Sequence, residues 1–114
     1  MQDFKLVHMQ SPISWPTADA DDQKRLEIIS NLLWPHEKLL FFLFKTDKPE
    51  LKGSPEEMKK RAQWFSTGEK VLISLALDVW SNTGGTMVTD LYNLDPVNLQ
   101  RAFTALFSDF NRTY

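Results

Sequence analysis

Few residues in this chain are of types that do chemistry, and their spacing argues for structural work. The only histidines are His8 and His36, and there is no cysteine. No His-x-x-x-His pair exists, so no sequence pattern points to a transition-metal site. Asp19, Asp21 and Asp22 cluster just before an apolar periodic segment. Carboxylates there accept hydrogen bonds from the free N–H groups of a first helical turn. A cation site or an acid–base pair is the alternative use of the same residues.

Asn82–Met87 separates two helical segments and contains Gly84-Gly85. A calcium loop needs several carboxylates at alternate positions, and Asp90 is the only acid nearby. A phosphate cradle needs a strand before the glycines and Lys-Ser or Lys-Thr after them. Neither pattern is met, so the segment reads as a helix stop. The sequence therefore calls for no catalytic residues, no metal and no cofactor.

Two binding surfaces remain. The first is aromatic. Trp15, Trp34 and Trp64 fall at junctions between elements, Phe107 lies outside the main apolar stripe of the last helix, and Tyr114 ends the chain. Tryptophan and tyrosine are enriched where proteins bind one another, so these five residues are the candidate partner-binding set. Trp15 has a competing use, with Ile13, in pinning the N-terminal arm to the body. The second surface is a helix-turn-helix arrangement, with Asn98, Gln100 and Arg101 of the last helix facing base edges. Charge argues against it. Residues 66–114 carry three basic and five acidic side chains, whereas phosphate recognition concentrates lysine and arginine on one face.

The elements that must position these residues are helical. Ser66–Ser81 is apolar almost all round, with Val71, Leu72, Ile73, Leu75, Ala76, Leu77, Val79 and Trp80. Its polar residues recur at three- and four-residue steps along one stripe, which predicts the central helix of a bundle. Ser54-Pro55-Glu56-Glu57 and Ser66-Thr67-Gly68-Glu69 are capping boxes that start two helices. Further helices are expected over 21–33, from Pro35 through the run Leu39–Phe44, over 89–94, and from Asp95-Pro96 to about 110. The run Leu39–Phe44 also fits a buried strand, because short apolar runs do not distinguish the two. In the last helix, Leu99, Ala102, Phe103, Leu106 and Phe110 are expected to face inward.

The resulting fold class is all-α: a compact bundle of about five helices around a central apolar helix. Residues 1–18 form an extended N-terminal arm and residues 19–114 a single helical domain. The longest apolar run, six residues, is far short of the roughly 20 that span a bilayer. With no signal-peptide pattern, the expected place is the cytoplasm, without membrane insertion. The expected function is that of a non-enzymatic protein-interaction protein, with a protein partner or a homo-oligomer.

Overall fold

A computed structural model describes residue 15, residues 18–34 and residues 36–113. Apart from Trp15 and Ala18, the N-terminal arm lies outside the described residues, as does Tyr114. Among the described residues the chain is helical, with no strand longer than an isolated bridge.

Helix α1 spans Ala20–Leu32. The Asp19 carboxylate accepts from the Asp22 backbone N–H at 2.8 Å, the capping use of this acidic cluster. Its buried face is Leu26, Ile29 and Leu32. Helix α2 spans Glu37–Leu43 and buries Leu39, Leu40 and Leu43. Phe44 then turns extended and forms an antiparallel bridge with Leu51. The apolar run is thus helix for five residues and extended for one.

Helix α3, Pro55–Arg61, opens with the expected capping box on Ser54. A 3₁₀ turn over Ala62–Trp64 leads into α4, Thr67–Ser81, which opens with the second box on Ser66. The short helix expected over 89–94 is a 3₁₀ helix over residues 88–93. Helix α5 runs Pro96–Thr113, and the Asp95 carboxylate accepts from the Asn98 backbone N–H at 2.8 Å.

Helix α4 buries Val71, Leu72, Ile73, Leu75, Ala76 and Leu77. It packs on α1, α2, α3 and the 88–93 segment, while α5 packs chiefly on α1. The buried centre is therefore shared: α4 contributes six buried residues, and α1 and α2 contribute three each. Trp15 joins this interior: its ring meets Phe44 edge-on at 5.9 Å, and Phe44 meets Trp80 in the same way at 5.2 Å. Such T-shaped pairs place a ring edge against a neighbouring face.

The turn after α4 is held by one side chain. Asn82 takes the left-handed conformation that ends the helix, with φ 58°. The Asp78 carboxylate then accepts backbone N–H groups from Gly84 at 2.7 Å, Gly85 at 3.0 Å and Thr86 at 3.2 Å. Partial burial opposes ionisation of Asp78, but the hydrogen bonds from Thr86, Gly84 and Gly85 outweigh it and hold the carboxyl below its ordinary value. The unfolded chain therefore takes up this proton first as pH falls. The stabilisation is complete above the unfolded value, about 3.9, and is lost as pH drops through the lower folded one. Asp78→Asn should cost on the order of 1–2 kcal/mol near pH 7. The gap between wild type and variant should narrow as pH falls below the unfolded value of about 3.9, as read from urea melts across pH.

Candidate functional site

The candidate aromatic residues do not form one surface. Trp15 is buried, and its indole N–H donates to the Lys45 carbonyl at 2.9 Å. It pins the end of the arm to the body and is not available to a partner. Trp34 is half-buried, and its carbonyl accepts from the Arg101 guanidinium at 3.1 Å. Trp64 is 85% exposed on the 3₁₀ turn between α3 and α4, and Phe107 is 47% exposed on α5.

Trp64 is outward because of its neighbours in sequence. Ala62 and Phe65, on either side of the two-residue step Gln63-Trp64, point inward, Phe65 against Phe42 with ring centroids 5.0 Å apart. The short 3₁₀ turn has no second buried position to offer.

On α5, the small residues Ala102 and Ala105 are the buried ones. Phe103, expected inward, is 45% exposed and stacks on Phe107 with centroids 5.8 Å apart and planes 20° from parallel. Small side chains let α5 approach α1 closely, and the bulky rings one position further round are left outside. The sequence signal for this was present in the Ala102-x-x-Ala105 spacing. Met87, Val88 and Tyr92 are also exposed, at the start of and along the 3₁₀ segment 88–93.

The residues of the helix-turn-helix reading are occupied in a different way. Asn98 lies half-buried, with its amide N–H₂ on Asp95 at 3.2 Å and its carbonyl oxygen 3.2 Å from His36 Nε2. That oxygen accepts, so Nε2–H is the donor in this contact. Arg101 reaches back to the Trp34 carbonyl. Gln100 alone of the three is exposed.

A cleft of about 490 Å³ opens where the N-terminal ends of α4 and α5 meet the residue before α2. Its polar lining includes His36, Glu69, Asp95 and Asn98, over Leu72 and Leu94. Both carboxylates are committed to helix starts. Glu69 is held below the usual carboxylate range, first by Lys38, whose ammonium lies 2.7 Å away, and then by the Ser66 backbone N–H at 3.0 Å. Asp95 holds the start of α5. These contacts position helix ends. Among the described residues no group of three or more His, Cys, Asp or Glu side chains is arranged to hold a metal ion, and no helix is long and apolar enough to cross a membrane.

No family model, curated protein or solved structure matches this chain, so the geometry of its surface is the ground on which a function is proposed.

Proposed function

We propose that the chain is a non-enzymatic protein-interaction protein, an adaptor, inhibitor or small regulatory subunit, that works in the cytoplasm without a cofactor. The observation that carries this reading is Trp64, 85% exposed on a turn whose backbone is fixed by a capped helix on either side. A tryptophan side chain offers a large contact area at little cost in conformational entropy, since only two torsions are restricted on binding. Trp64 is thus suited to act as an anchor that enters a pocket on another protein. Lys59, Lys60 and Gln63 are exposed on the adjoining residues and supply the polar rim that surrounds such anchors.

Trp64→Ala tests this. The side chain makes no core contact, so the variant should melt with the wild type. Binding to a purified protein partner should weaken at least ~30-fold, the effect of losing a hot spot worth about 2 kcal/mol. Unchanged affinity, measured by calorimetry, overturns Trp64 as the anchor.

A further inference from the structure

The residues around Trp64 carry positive charge in a chain that is acidic elsewhere. Between Glu57 and Glu69 there are three bases, Lys59, Lys60 and Arg61, and no acid. All three are exposed, as are Gln63 and Trp64. The whole chain has a formal net charge of -2, so its remaining residues are acidic in sum. Helix α3 divides its charge by turns, with Glu56 and Glu57 in the first and Lys59, Lys60 and Arg61 in the last. The basic end is the one that runs into the 3₁₀ turn of Trp64.

Lys60 and Arg61 precede Trp64 by four and three residues, the steps that bring side chains together on one helical face. Lys59 leans the other way, toward the turn after α4: its ammonium lies 3.6 Å from where a side chain on Gly85 would begin. Arg61 meets Glu57 at 3.6 Å, one turn back, with both side chains more than half exposed. Such a surface pair contributes little. Glu57 is also held to the helix start, where its other oxygen accepts from the Ser54 backbone N–H at 3.1 Å. The Arg61 guanidinium carries several N–H donors in a fork, so it keeps capacity for a second carboxylate.

We infer that the protein bound through Trp64 presents an acidic surface, with carboxylates around the pocket that the indole enters, a step that rests on the interaction reading above and names the chemistry of its partner. Lys60 and Arg61 pair with those carboxylates at the rim, where opposite charges steer docking and fix its orientation. The acidic remainder of the chain repels the same partner, so this corner is the one presented to it. A bilayer fits less well. The exposed residues beside Trp64, namely Gln63, Ser66 and Thr67, are polar, and a single indole lacks the broad apolar face of an interfacial helix. Nucleic acid fits less well too, since three bases on a net-acidic chain make no phosphate-binding stripe.

A labelled random copolymer of glutamate and tyrosine serves as the acidic probe, a copolymer of lysine and tyrosine as its opposite, and fluorescence anisotropy reads binding to the full chain. The chain should bind the acidic copolymer and not the basic one, and salt raised from roughly 0.05 to 0.5 M should release it. Lys60→Gln combined with Arg61→Gln should weaken binding about tenfold at an unchanged melting temperature, and Trp64→Ala should weaken it as well. Lys24→Glu, an equal change of net charge placed on α1, should bind as the wild type does. Equal affinity for both copolymers, no binding to the acidic one at low salt, or binding that survives the glutamine pair overturns the inference. So does tighter binding to vesicles containing phosphatidylserine, or to duplex DNA, than to the acidic copolymer. Should the glutamine pair leave a purified partner's affinity unchanged while Trp64→Ala weakens it, the acidic surface fails and the interaction reading stands. Should the glutamine pair weaken it while Trp64→Ala does not, the acidic surface stands and Trp64 falls as the anchor.

Discussion

Alanine at position 84 should destabilise the protein by on the order of 3 kcal/mol or more, with an effect that exceeds that of any other single methyl addition. A Cβ on Gly84 would lie 1.8 Å from the Ser74 carbonyl oxygen and 2.6 Å from the Asp78 carboxyl carbon. The first of these is backbone inside α4, which cannot yield without breaking the helix. Moving residue 84 outward instead breaks the N–H bonds that Gly84, Gly85 and Thr86 give to Asp78. Gly85→Ala is the internal comparison. There φ is +68° and the nearest neighbouring atom is the end of the flexible Lys59 side chain at 3.6 Å, so the cost is that of the left-handed region alone, about 1–2 kcal/mol. Urea midpoints for the two variants should differ in that order. Equal midpoints would mean that the turn relaxes freely and that Gly84 is not a point of close approach.

Aspartate at position 77 should abolish cooperative folding. Leu77 has no exposed surface, and it sits on the helix that packs against α1, α2 and α3. The substitution removes a full leucine from the interior, which costs about 2–5 kcal/mol as a truncation. It also buries a carboxylate where the surrounding core is entirely apolar, which adds several kcal/mol more. Domains of this size are stable by only about 5–15 kcal/mol. The expected far-ultraviolet spectrum is that of a largely unfolded chain at 25 °C. A sigmoidal melt at the wild-type temperature would contradict the interior shared by α1, α2 and α4.

The helices were legible in the sequence where local chemistry fixes them. Ser54 with Glu57 and Ser66 with Glu69 specify two helix starts through reciprocal hydrogen bonds, and these depend on residues only three apart. The acids at 19–22 and Asp95 also do the capping that their positions imply. What was not legible depends on distant partners. Phe103 was expected inward because it is large and apolar. Its orientation follows from Ala102 and Ala105, which bring α5 close to α1 and claim the buried side. Trp15 reads both as a partner residue and as a pin for the arm, and the Lys45 carbonyl, thirty residues on, gives its N–H the buried partner of a pin. Asn98 and Arg101 look like free polar side chains on a recognition helix. His36 and the Trp34 carbonyl, more than sixty residues away in sequence, engage them instead. Of the aromatic set, sequence placed Trp64 and Phe107 on the surface, and both are exposed.

The most direct test of the interaction reading is affinity capture of the whole chain from cells, with and without nuclease, in parallel with Trp64→Ala. The account predicts a stoichiometric protein partner that survives nuclease and is depleted with Trp64→Ala. Co-purifying nucleic acid, with every bound protein lost after nuclease, would contradict it and move the function to the exposed edge of α5 around Gln100.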